Sequence, residues 1–189
     1  MFEAKQKQPV LSKEIEDLVV RSTGEIFNGK TDEILRYKYK VMQILIQDMD
    51  LLSVLHCADL EKKGLTNHGD SYRGVCIFDF MKLPDLKSDV KNYICFDVVE
   101  SFGSNNVKRL VFRTVCHESD MNTDWGVSRM DLLAAIIKSK FDWSHILGFT
   151  LRKESDTSEI VGEYYYREVS YISFAPNNTW NRVNHARSF

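Results

Sequence analysis

At 189 residues, with 43% hydrophobic and 28% charged side chains, the chain has the makeup of one soluble globular domain that buries roughly 70% of its unfolded surface. A net charge of −2 excludes a global pull towards nucleic acid or an anionic membrane, and no apolar run reaches the ~18–20 residues of a membrane span. Aromatic residues make up 12%, with 8 Tyr and 11 Phe gathered in segments that read as strands, which favours β structure.

Residues 1–10 form a polar lead-in ending at Pro9, without the apolar core of a signal peptide. Ser12 is placed to cap a first helix with Ile15, Leu18, Val19 and Ile26 on one side, broken by Asn28-Gly29. Thr31-Asp32-Glu33 opens a second helix whose stripe is Leu35, Tyr39, Met42, Leu45, Ile46, Met49 and Leu52, with a short third piece ending near Leu55. Gly64 to Gly74 is a polar surface loop.

From Val75 the period changes to that of strands. Val75 to Phe80 is the first, followed by a long turn from Pro84 through the charged run to Lys91. Asn92 to Val99 is the second, with Ile94, Phe96 and Val98 on one face. After a turn over Ser101–Asn106, Val107 to His117 alternates Leu110, Phe112, Thr114 and Cys116 with Arg109, Val111, Arg113 and Val115, so one face carries two arginines.

A loop over Glu118–Gly126 leads to the best-marked helix. Ser128 is its N-cap, Asp131 completes a capping box, and Leu133, Ile136, Ile137 and Phe141 form an apolar stripe that belongs on a sheet. Phe149 to Lys153 is a fourth strand, Asp156-Thr157-Ser158 a turn, and Tyr164 to Phe174 a long last strand; the tail from Pro176 is loose. The order predicts an α+β fold: an antiparallel sheet of about five strands, one helix across a face and N-terminal helices alongside. Three parts result, a helical arm over 1–60, an α+β core over 75–175 and a C-terminal tail over 176–189.

Chemistry is sparse. Cys57, Cys76, Cys95 and Cys116 are widely spaced with no Cys-x-x-Cys pair, so buried free thiols are expected ahead of disulfides or a metal site. The five histidines lie far apart, and Cys116 and His117, adjacent on a strand, point to opposite faces. No phosphate-binding glycine loop occurs. Asp97, Glu100 and Asp124 invite a metal-dependent nuclease reading, against which charged turns and solvent faces are the simpler account. Arg109 and Arg113 have two readings: a solvated face with cross-strand ion pairs to Glu154 and Glu168, or an intersubunit or lumen-facing surface. The expectation is a protein without catalytic residues, metal or cofactor.

The succession Tyr93-Ile94-Cys95-Phe96-Asp97-Val98, Val107 to His117, Asp124-x-Gly126-x-x-Arg129-x-Asp131-Leu132-Leu133-Ala134, Leu147-Gly148 and Tyr164-Tyr165-Tyr166 to Phe174 resembles the tail-terminator (tail-completion) proteins of tailed bacteriophages. The pattern covers about residues 92–175, and the helix from Arg36 to Leu55 is similar to the N-terminal helices of phage head–tail connection proteins. The resemblance implies a virion structural protein, assembled in the host cytoplasm into a ring, usually sixfold. The ring caps the tail tube and joins it to the head connector, without enzymatic activity or cofactor. Its implied partners are further copies of itself, the tail tube protein, connector or stopper proteins, and DNA passing through a lumen, with no membrane. Asp124, Arg129, Asp131, Arg109 and Arg113 are the candidate interaction residues. Alternatives are another neck adaptor or stopper, a small metal-dependent nuclease, and a module that binds a strand at the sheet edge.

Overall fold

Strand-forming and helix-forming periods meet in one core. The computed structural model describes residues 33–82, 92–101 and 107–173, together with Lys13 and Val20. The helix expected from Ser12 (apart from those two residues), the turns expected at Pro84–Lys91 and after Ser101, and the tail from Pro176 lie outside the described residues.

The helices come first: α1 (Glu33–Ile46), α2 (Met49–Leu55) and α3 (Ala58–Glu61), then a 3-10 turn at Gly69–Tyr72. The strands are β1 (Ile77–Phe78), β2 (Tyr93–Ser101), β3 (Val107–His117), β4 (Leu151–Val161) and β5 (Tyr164–Ser173). Helix α4 (Arg129–Phe141) lies between β3 and β4. The sheet order is β1-β2-β3-β5-β4, so the expected five-stranded α+β architecture is present. The sheet is mixed: β1 runs parallel to β2, and every other pair is antiparallel.

One face of the sheet is covered. Ile94, Phe96 and Val98 of β2, Leu110, Phe112 and Cys116 of β3, and Val169 and Tyr171 of β5 share a core with Leu133, Ala134, Ile137 and Phe141 of α4. Phe112 is its centre, 4.6 Å from the Phe141 ring and edge-on to Tyr171. The same core takes in Tyr37, Val41, Met42 and Leu45 of α1 and Leu51, Leu52 and Leu55 of α2. A second, smaller cluster of Phe78, Tyr93, Cys95, Val115, Tyr164 and Tyr166 sits at one end of the opposite face.

Several expectations are corrected. Of the expected stripe, Met42, Leu45, Ile46 and Leu52 are buried, but Leu35 and Met49 are exposed, and Tyr37 and Val41 point inward in place of Leu35 and Tyr39. The helix breaks at Gln47, and Asp48 starts α2 afresh by accepting from the Asp50 and Leu51 N–H groups at 3.1 Å each. That break resets the helical phase on which a continuous stripe depends. The turn at Asp156–Ser158 is strand; the hairpin closes instead at Gly162-Glu163, where Gly162 takes φ +62°. The first strand is confined to two residues. Cys57 and Cys76 are bonded as a disulfide, not free, while Cys95 and Cys116 are buried thiols. The bridge ties α3 to the approach to β1, two segments that sequence spacing does not connect.

The loop between them is not wholly superficial. Tyr72 is buried, and Gly69 lies so close to the end of α1 that an added Cβ would be 1.9 Å from the Ile46 carbonyl oxygen. Only glycine fits that approach.

Candidate functional site

Two polar arrangements organise the molecule. The first is built where β3 gives way to α4. After His117 the chain makes a 3-10 turn over Glu118–Asp120, passes a tight turn at Thr123–Val127 and re-enters helix at Ser128. Ser128 Oγ accepts the Asp131 N–H at 3.1 Å and donates to the Asp131 carboxylate at 2.6 Å, the capping box expected from the sequence.

Arg129, the first helical residue, is 8% exposed and turns inward. Its Nε donates to the Asp120 carbonyl at 2.7 Å, its Nη2 to the Asp120 carboxylate at 3.0 Å, and its Nη1 to the Val54 carbonyl at 2.5 Å. The last contact caps the C-terminal end of α2 with a cation, where the helix dipole favours one. Asp120 also accepts from Asn92 Nδ2 and contacts His56 Nδ1 at 2.7 Å; Asn92 Oδ1 accepts the His117 N–H. His56 is held on its other nitrogen by Glu61 at 3.2 Å. Both imidazole nitrogens therefore face carboxylates and neither is left to activate a nucleophile. The Asp120 carboxylate joins the end of α2, the approach to β2 and the start of α4, and Asn92 extends the hub to His117 of β3.

The second arrangement is the sheet face away from α4. Arg109 reaches Glu154 through two donors at 2.7 and 2.8 Å, and Arg113 reaches Glu168 at 2.7 Å. Those are the cross-strand pairs that the alternation of β3 predicts. The Glu154 carboxyl is held below its usual range by the hydrogen bond from Arg109. On the helix side, Arg167 of β5 pairs with Asp156 of β4 at 2.8 Å and with Asp131 of α4, and Lys138 adds a second cation to Asp156. The Asp156 carboxyl falls to about 2, chiefly through the hydrogen bond from Arg167.

Thus Arg109 and Arg113 share one face, Arg129 and Asp131 sit at opposite sides of the start of α4, and Asp124 stands exposed in the turn before it. The five candidate residues do not converge on a common pocket. Of the acidic residues raised for nuclease chemistry, Asp97 is paired with Lys38 at 2.7 Å. Among the described residues no group of three His, Cys, Asp or Glu side chains is arranged to hold a metal ion. The Cys116 thiol is pushed up to about 12 by burial, which leaves it inert at neutral pH. Sequence reasoning missed Asp120, Asn92 and His56 as a unit. Their only sequence signals were a polar residue ahead of β2 and a histidine at a helix end, neither of which reveals contacts 28 and 64 residues apart.

Comparison with known families makes the chain a phage-associated α+β protein. It belongs to the YomW family, which matches residues 48–172, from the cap of α2 to the penultimate residue of β5. No curated protein matches the chain. No helix among the described residues is long and apolar enough to cross a membrane.

Proposed function

We propose that the protein is a virion structural subunit, a tail-terminator-like ring component that caps the tail tube and joins it to the head connector. The observation that carries this reading is membership of a phage-derived family across the segment that resembles tail terminators. Two features of the fold support it. Arg109, Arg113, Arg129 and Asp131 hold structural ion pairs, as suits a scaffold. Arg109, paired with Glu154 and still half-exposed, presents with it a polar sheet surface to a neighbouring subunit. In this role the protein carries no enzymatic activity and needs no cofactor; its partners are its own copies, the tail tube and the connector, and it resides in the virion neck.

The test is deletion of the gene from an inducible lysogen, followed by electron microscopy of the lysate. Tails of uncontrolled length that fail to join heads are the expected result, restored by the gene supplied in trans. Virions of normal form and infectivity would overturn the proposal. The similarity of the α1–α2 segment to head–tail connection proteins favours one second reading, a neck adaptor or stopper. That reading predicts tails of normal length beside heads that lose their DNA.

A further inference from the structure

β4 is the outermost strand on the side of the sheet away from β1. At its start, Leu151 directs its backbone away from β5: its N–H donates to the Ser144 carbonyl at 2.8 Å and its carbonyl accepts from Trp143 at 3.1 Å. From Arg152 to Val161 no residue has a backbone partner on that outer side among the described residues. Exposed edges are blunted by shortness, proline, charged side chains or β-bulges. β4 carries charged side chains and one bulge, between Lys153 and Ser155, but neither of the first two devices. β4 has 11 residues, contains no proline, and is flanked by bare apolar side chains: Ile160 is 62% exposed at one end and Trp143 66% at the other. Trp143 holds φ +64°, a left-handed conformation that a bulky residue rarely adopts, and keeps its indole outside with the Arg152 guanidinium above it at 5.6 Å.

The register with β5 says what fits this edge. Arg152, Ser155, Thr157 and Glu159 stand opposite Ile172, Ser170, Glu168 and Tyr166, on the face away from α4. Lys153, Asp156, Ser158 and Ile160 stand opposite Tyr171, Val169, Arg167 and Tyr165, on the helix-bearing face. The bulge between Lys153 and Ser155 supplies one extra residue. When a second β4 is laid antiparallel along the edge with Asp156 opposite Asp156, the two bulges offset one another and like faces meet along the whole contact. Arg152 then lies opposite Glu159, and Ser155 opposite Thr157, twice each by symmetry. Neither Arg152 nor Glu159 has an ion-pair partner within the described chain. The central aspartates are each neutralised in their own subunit by Arg167 and Lys138. The Trp143–Ser144 segment fills the slot beside Leu151, so the incoming strand stops there.

We propose that the free protein forms a twofold dimer through antiparallel pairing of β4 with the β4 strand of a second copy, in the register that opposes Arg152 to Glu159. The contact is isologous and closes at two subunits. It is therefore distinct from the head-to-tail contact of a ring and independent of the neck role.

Sedimentation of the full-length protein tests it. The wild type shows a monomer–dimer equilibrium. Arg152→Glu and Glu159→Arg, each placing like charges opposite one another twice, raise the dissociation constant about tenfold or more, and the combined reversal restores it. Register is read independently: Ser155→Cys combined with Thr157→Cys gives a disulfide-linked dimer on mild oxidation, while either substitution alone does not. Circular dichroism verifies that each variant is folded. A monomer across the soluble concentration range overturns the proposal. So does a dimer, or any larger assembly, that is indifferent to both charge reversals.

Discussion

Arg129 donates to Asp120 twice, from Nε to the main-chain oxygen and from Nη2 to the carboxylate, and spends its remaining reach on the carbonyl of Val54, 75 residues earlier in the chain. Removing the guanidinium leaves a carboxylate and two carbonyls in a largely desolvated place. Arg129→Ala is expected to cost about 3 kcal/mol of stability. Arg129→Lys recovers only part of it, because an ammonium cannot reach three divergent acceptors. Urea denaturation checks this: the midpoint falls in both variants, further in the alanine one.

Acid should weaken the contact between α4 and β4. The Asp156 carboxyl sits at about 2, held down first by the Arg167 hydrogen bond and then by Lys138. A carboxyl depressed in the folded state stabilises the protein above its unfolded value, about 4, and that contribution fades as pH falls from about 4 towards about 2. Its size, after screening by nearby solvent, is about 1 kcal/mol. Asp156→Asn is expected to lower the melting temperature at neutral pH and to flatten its decline over that acid window.

The Cys57–Cys76 disulfide closes a loop with a sequence separation of 19. A cross-link over such a length contributes about 3 kcal/mol, chiefly by restricting the unfolded chain. The double variant Cys57→Ser/Cys76→Ser should melt lower than the wild type under non-oxidising handling, and reductant should bring the wild type towards the variant. Equal melting temperatures in all three samples would mean that the bridge contributes nothing.

Gly69→Ala tests the approach of the 3-10 turn to α1. The new methyl would meet the Ile46 carbonyl oxygen at 1.9 Å, a backbone atom that cannot rotate away. A loss of about 2 kcal/mol is expected, seen as a lower thermal midpoint. The same substitution at Gly64, where nothing lies within 4 Å but φ is +66°, reports the cost of left-handed backbone alone and serves as the comparison.

What was legible in the sequence follows from how local the determining contacts are. β3 runs over Val107–His117 as expected, because Leu110, Phe112 and Cys116 alternate with Arg109 and Arg113, so one face is buried and the other carries arginines. The pairs Arg109–Glu154 and Arg113–Glu168 follow from the same alternation, and the Ser128 cap from the Ser-x-x-Asp spacing. β4 was cut short because an edge strand exposed on both faces has no apolar period, and Asp156-Thr157-Ser158 has the composition of a turn. Met42, Leu45 and Ile46 of α1 are buried as their period predicts, Met49 lies beyond the break where Asp48 restarts the helical phase, and Tyr37 rather than Tyr39 faces the core. The disulfide and the Asp120 hub were hidden for a different reason. Each depends on which distant segments the core brings together, and cysteine spacing or a solitary histidine carries no record of that.

β1 has only two residues, and its far side is already occupied: Arg73 bridges to Ile77 in parallel, and the Gly74 N–H donates to the Ile77 carbonyl at 2.8 Å. β1 itself is thus closed to a further strand, although it pairs with only Ile94 and Cys95 of β2. On the opposite side β4 leaves the backbone of Arg152–Val161 unpaired among the described residues, so that margin offers an added strand the longer ladder.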